Sequence, residues 1–206
     1  MSARLNPVRI ADDVFEFQVD TPADAQALAT HLRASLEAED IVAGLDRVAV
    51  RFDPRNLVEI ETRLRDTKQP ETARQTDAPL VEIGIQYGGE YGPDLASVCD
   101  ALDLTEDAFI AAHTAPVHTV EMIGFTPGFS YISGLPAGFS VPRLARPRPR
   151  VPDGSVGISA AFTGIYALNG PGGWPLIGRT HAQLFRANDP APFLLTPGQS
   201  VQFRAL

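Results

Sequence analysis

The chain has 206 residues, 44% of them hydrophobic and 20% charged, with a formal net charge of −8, enough for one large domain or two small ones with their own cores. The single cysteine, Cys99, excludes an internal disulfide framework and a cysteine-based zinc site. No run approaches the roughly 20 apolar residues of a membrane span, the start Met1–Pro7 lacks the apolar core of a signal peptide, and the near absence of lysine from the basic half argues against a nucleic-acid partner, so a cytoplasmic protein is expected.

The charge is unevenly placed. Residues 1–121 hold 10 Lys+Arg against 23 Asp+Glu, whereas residues 122–206 hold 7 Arg, no Lys and only Asp153 and Asp189. Such asymmetry implies surfaces with separate electrostatic roles. Either the C-terminal half meets an anion, or the two halves dock through opposite charge.

In chain order, Val14–Val19 is β-branched and aromatic and predicts a strand. Thr21-Pro22 places a capping hydroxyl before a first-turn proline, and Ala25, Leu28, Ala29, Leu32 and Leu36 follow at helical spacing. Val48–Phe52 predicts a second strand, and Asp53-Pro54 with Leu57, Ile60 and Leu64 a second helix. These elements make a small α/β sandwich of ferredoxin-like or related type. Lys68–Pro79 is polar, proline-bracketed and aperiodic, and reads as a linker or exposed loop, so the domains expected are 1–79 with the linker and 80–206.

Leu80–Gln86 predicts a strand, Gly88–Asp94 a sharp loop, and 94–101 and 105–113 two short helices, the second capped by Thr105. From Val117 the composition changes: 12 of 17 glycines and 11 of 18 prolines lie in 122–206. Short apolar runs at 117–123, 155–160, 164–168, 175–178, 182–185 and 200–204 alternate with turn signals, the signature of a compact barrel or sandwich.

Four segments of this half carry residues suited to chemistry. Gly124–Tyr131 alternates glycines with aromatics, which would let a ligand approach the backbone between ring walls, although a packed β-turn would look the same. Pro142–Pro152 spaces Arg143, Arg146, Arg148 and Arg150 along a proline-stiffened, polyproline-like backbone that puts Arg148 and Arg150 on one face. Guanidinium forks suit carboxylate or phosphate; a solvated loop is the plain alternative. Asp153–Ile158 with Thr163–Tyr166 forms the third. Gly170–Thr180 offers Gly172 and Gly173 as a possible backbone anion nest, with Arg179 as a fixed charge and Thr180 as a hydroxyl; a tight hairpin explains the glycines equally. The run is neither a P-loop nor a dinucleotide fingerprint. His113 and His118 lack metal-ligand spacing, His31 reads as a surface residue, and Cys99 as buried and inert.

The ordered motifs Glu90-Tyr91-Gly92-Pro93-Asp94-Leu95, His118, Gly124–Tyr131, Pro142-Arg143, Val151–Ile158, Thr163–Tyr166, Pro171–Trp174 and Ile177–Thr180 resemble the B-type subunit family of 5-oxoprolinase, also described as allophanate hydrolase subunit 1 and as a sporulation histidine-kinase inhibitor family. The resemblance implies an α+β protein in which the small sandwich precedes a cyclophilin-like β-barrel. It also implies a partner barrel protein, the C-type subunit of 5-oxoprolinase (allophanate hydrolase subunit 2 type), and a third component, the A-type subunit. The assembly would convert 5-oxo-L-proline to L-glutamate with ATP and Mg²⁺, the chain being inactive alone. The fused halves are similar to the carboxyltransferase domain of urea carboxylase. Departures lie at Ala11–Phe17, at Asp153 and at Phe162, and they bear on the exact substrate more than on the barrel. On this reading His118 is the candidate acid/base, because its ordinary pKa lies near 6.5. Arg179 is a second catalytic candidate, and Arg143, Arg148, Arg150, Thr163, Tyr166, Gly172, Gly173 and Thr180 are candidates for binding substrate or ATP. Alternative readings are a kinase-inhibiting binding protein, an allophanate-type hydrolase or carboxyltransferase component, and a prolyl isomerase suggested by the barrel alone.

Overall fold

The computed structural model describes residues 5–71 and 79–206. The chain divides into two compact units, Met1–Arg74 and Gln75–Leu206. Most of the stretch read as a linker, and the first four residues, lie outside the described residues.

In the first unit, strands β1 (Val8–Ala11), β2 (Val14–Gln18), β3 (Asp40–Ala43) and β4 (Arg47–Arg51) form an antiparallel sheet in the order β1-β2-β4-β3. Helix α1 (Pro22–Ser35) starts where Thr21 accepts a hydrogen bond from Asp24 N–H at 3.1 Å, and buries Ala25, Leu28, Ala29 and Leu32. Helix α2 (Leu57–Arg65) follows a 3-10 turn at Pro54–Asn56 and buries Ile60 and Leu64. These side chains close over Phe15, Phe17, Ile41, Val48 and Val50 on one face of the sheet. The sequence pattern indicates two strands, and the sheet has four. The two additions are its edges: β1 is exposed at every residue and β3 buries only Ile41, so neither carries an apolar alternation to read.

The second unit is a closed seven-stranded barrel. Its strands are β5 (Val81–Tyr87), β6 (His118–Ile123), β7 (Ser130–Ser133), β9 (Ser155–Ser159), β10 (Phe162–Ile165), β12 (Leu176–Arg179) and β13 (Ser200–Ala205), ordered β10-β7-β6-β13-β5-β12-β9. Only β5 and β13 run parallel among these neighbours. Helices α3 (Leu95–Leu102) and α4 (Glu106–Thr114) pack against β12 and β13, and Thr105 caps α4. Alternation along the strands sends Ile83, Ile85, Val120, Ile132, Val156, Ile158, Ile165 and Phe203 into one aliphatic core.

Two local expectations are corrected. Residues 148–151 are not polyproline-like. They form strand β8 (Arg148–Val151), paired antiparallel with β11 (Gly170–Gly172) in a separate two-stranded ribbon. That pairing needs partner residues about 20 positions away, which a local proline pattern does not disclose. The run 182–185 is not a strand either; Phe185 makes only an isolated bridge to Phe193.

Candidate functional site

The outer wall of the barrel has a gap where side chains would normally stand. Gly157 on β9 lies directly opposite Gly164 on β10, and Trp174 covers both, its ring over Gly164 and its Cβ over Gly157. A Cβ at Gly164 would fall 2.6 Å from Trp174 and 2.8 Å from Phe129, and one at Gly157 3.0 Å from Trp174. The next outward residues, Tyr131 on β7 and Phe162 on β10, extend this cover. The rings meet edge to face: Phe129 sits 5.0 Å from Tyr131, 4.9 Å from Tyr166 and 5.6 Å from Trp174, and Tyr131 lies 5.6 Å from Trp174. Such geometry is favourable beyond area burial. The result is an aromatic cluster on the outside of a barrel whose inside is already full.

Arginines border the cluster. Burial pushes the Tyr131 hydroxyl pKa up, opposed by the charge of Arg143. Burial likewise raises that of Tyr166, opposed by the Trp174 main chain and then by Arg143 and Arg148. Arg148 donates to Asp94 at 2.8 Å, while Asp94 also accepts from Leu176 N–H at 2.7 Å. This carboxylate therefore pins the arginine to the barrel. The other guanidinium nitrogen of Arg148, Nη1, is buried with no hydrogen-bond partner among the described residues. An unsatisfied charged donor is costly. Arg143 is exposed.

The structure thus brings together Arg143, Arg148, Tyr166 and Gly172, and separates the other candidates. Gly172 lies in extended β11, where a Cβ would come within 2.5 Å of the Tyr166 hydroxyl. It makes room for that ring and does not form a nest; Gly173 accepts at its carbonyl from Leu144 N–H at 2.7 Å. Arg150 is exposed on the ribbon edge. Arg179 is held at the turn before β9, donating from Nε to Asp153 O at 2.9 Å and pairing with the Asp153 carboxylate at 3.3 Å. Thr180 is buried, and its hydroxyl accepts from Ala182 N–H at 3.1 Å.

His118 and Thr163 lie inside the barrel. Both His118 ring nitrogens face main-chain carbonyls, Ser133 O at 3.1 Å and His113 O at 2.8 Å, so no nitrogen is left for acid/base work on a delivered substrate. Burial lowers its pKa, against the pull of those carbonyls. His113 is fully buried between Tyr87 Oη at 2.7 Å and Thr163 Oγ1 at 2.8 Å, and stacks on Phe203 with ring centroids 4.8 Å apart. Desolvation, helped by His118, drives its pKa down to about 3. These histidines are pieces of a polar seam through the core. Burial also raises the pKa of the Cys99 thiol.

Residue-type reasoning counted Tyr131 among the ring walls of Gly124–Tyr131 without choosing it as a site residue, and passed over Trp174 and Asp94. A cleft of about 590 Å³ on the first unit, bounded by His31, Leu36, Arg63 and Gln69, contains none of the sequence-selected candidates. Among the described residues no group of three or more His, Cys, Asp or Glu could hold a metal ion, and no helix is long and apolar enough to cross a membrane.

The family described as "Carboxyltransferase domain, subdomain C and D" matches residues 9–195. Curated relatives named as the B subunit of 5-oxoprolinase share 37% identity over 97% of this chain and 97% of theirs in Haemophilus influenzae, and 39% over 80% and 76% in Escherichia coli O157:H7. The chain belongs to the B-type subunit family of 5-oxoprolinase. Among solved structures, TTHA0988 superposes with a TM-score of 0.77 at 32% identity over 94% of this chain. PH0987 from Pyrococcus horikoshii superposes at 0.61 and 30% identity, with 98% and 97% of the two chains covered. The Kluyveromyces lactis urea carboxylase shares the fold at 15% identity and a TM-score of 0.73, with 98% of this chain and 22% of that one covered. The chain spans only 39% of the length of TTHA0988. Membership in this family makes the chain a component of a 5-oxoprolinase system that works with other subunits.

Proposed function

We propose that the chain contributes half of an active site that opens 5-oxo-L-proline to L-glutamate with ATP, in an assembly with a partner barrel protein (the C-type subunit) and a third component (the A-type subunit). The observation that carries this reading is the arginine-bordered aromatic face, with Arg148 Nη1 lacking an acceptor among the described residues. A five-membered lactam presents a flat apolar ring and a carboxylate. The ring suits the Tyr131–Trp174 surface, and the carboxylate suits Arg143 and the remaining edge of Arg148.

The chemistry required is transfer of the ATP γ-phosphoryl group to the lactam oxygen and attack of water on the activated carbon. Rupture of the C–N bond in the resulting adduct frees the amine and leaves the γ-acyl phosphate, which a second water hydrolyses to glutamate and phosphate, ADP having left in the first transfer. This chain's residues bind and orient the substrate anion and exclude water from one side of it. No group of three or more His, Cys, Asp or Glu gathers among its described residues, and the ion expected with ATP is assigned to the partner proteins. Arg179, which pairs with the Asp153 carboxylate at 3.3 Å, is proposed as a phosphate contact.

The test is 5-oxoproline-dependent ATP hydrolysis by the complete assembly. Arg143→Ala should raise KM for 5-oxoproline about tenfold, the equivalent of roughly 1.4 kcal/mol, with kcat nearly unchanged and the assembly intact. Absence of turnover in a stable wild-type assembly would reject the activity, and an unchanged KM would reject the carboxylate contact.

A further inference from the structure

The loop between β6 and β7 holds an aromatic ring that is mostly exposed in the free chain. Phe125 is 63% exposed and has φ 75°, the left-handed region that is an outlier for a bulky residue. A hydrogen-bonded frame fixes it there: Gly124 N–H donates to Phe129 O at 3.0 Å, and Phe129 N–H to Thr126 O at 3.1 Å. Strained residues over-determined in this way cluster at binding sites.

Further exposed apolar groups lie on the segments that meet beneath this loop. A Cβ at Gly128 would lie 2.8 Å from the Ala167 Cβ and 2.9 Å from the Phe185 Cβ, so three segments converge beneath the loop. Leu168, 39% exposed, follows Ala167, and Phe193, 40% exposed, packs 5.3 Å from Phe185. Phe125 also meets Phe129 edge-on at 5.6 Å, so the patch borders the aromatic face described above. Clustered exposed apolar groups beside a functional face mark an interaction surface.

Chain length and charge indicate the occupant. In TTHA0988, at 32% identity, this fold is 39% of one polypeptide, so the fold there is accompanied by further chain about one and a half times its own length. The half of the present chain that bears the patch has 7 Arg against 2 Asp, and Arg143, Arg146 and Arg150 are exposed. A complementary surface is an apolar socket with an acidic rim.

We propose that Phe125, Leu168 and Phe193 dock the separate partner protein that supplies what the longer relative carries in one chain, with Phe125 as the central anchor. This rests on the reading of the chain as one component of a larger assembly.

Phe125→Asn separates anchoring from folding, because Asn tolerates the left-handed conformation and lacks the ring. Affinity for the co-expressed, purified C-type partner, measured by titration calorimetry, should fall about 10-fold to 100-fold, in the range of anchor residues. The Tm of the isolated variant should stay level or rise by about 2–4 °C as strain is relieved. Phe193→Ser should weaken binding in the same direction by a smaller factor. Wild-type affinity in both variants would overturn the proposal, as would failure of the wild-type chain to bind the C-type partner. Self-association of the wild type in sedimentation that is lost in Phe125→Asn would overturn it in favour of a second copy. A wild-type pair that forms through Phe125 but turns over no 5-oxoproline in the full assembly would reject the activity and leave the docking surface standing.

Discussion

The first unit keeps its aromatic residues on the inner face of its sheet, whereas the barrel carries aromatic residues on both of its faces. In the first unit Phe15, Phe17 and Phe52 all face inward, and the outer face carries ion pairs such as Arg47–Glu16 and Arg51–Glu39. The barrel fills its interior with aliphatic side chains, Phe109, Phe203 and a histidine seam, and in addition sets Phe129, Tyr131, Tyr166 and Trp174 on the outside. A sheet with one solvated face is complete once its inner face is covered. A barrel that closes on itself and still carries rings outside has an outer face with another use, and that face is where the arginines are.

The interior side of this contrast can be tested first, because it carries the largest expected effect. His113 is neutral when folded, with its pKa lowered to about 3, whereas the unfolded chain binds a proton near pH 6.5. Between those values the unfolded state holds the extra proton, so acidification favours unfolding and stability is recovered as pH rises toward 6.5. Stability should fall by about 1.4 kcal/mol per pH unit in this window from His113 alone, with His118 adding in the same direction. Urea melts at several pH values would show it, and His113→Gln should flatten the slope; an equally steep slope in that variant would rule out the seam as its source.

The outer face comes next. Trp174→Ala should cost about 3–5 kcal/mol of unfolding free energy, as for a buried aromatic, since the indole covers Gly164. If the loss is small, the aromatic cluster is decoration on a self-sufficient barrel and the contrast breaks. The smallest effect belongs to the first unit. Arg47→Ala, removing an exposed pair with Glu16, should move Tm by less than about 2 °C in calorimetry; a larger shift would mean that this outer face also bears structure.

Much of the fold is legible in the sequence because its elements are locally marked. Thr21-Pro22 and Thr105 announce their helices by capping chemistry, and the strands β2, β4, β5, β6, β9, β12 and β13 carry apolar or β-branched runs. What is missed has its cause at long range. β8 and β11 exist only through each other, and β1 and β3 are edges whose outward residues carry no alternation. The candidate site divides the same way. Arg143, Arg148 and Tyr166 are selectable by residue type, and their clustering follows from closure of the barrel. His118 and Thr163 are also selectable by type, yet their chemistry is turned inward by strand alternation. No local pattern distinguishes a histidine that faces carbonyls within a core from one that faces solvent.

Trp174 is the sole tryptophan of the chain, and it sits against two glycines, 6% exposed, among the rings that border Arg143 and Arg148. The protein therefore carries one indole fluorophore, with no second tryptophan to dilute its signal. A shift in its emission or quenching on adding 5-oxoproline, or on mixing with the partner protein, reads occupancy of the outer face directly, without a label and before any turnover assay is in hand.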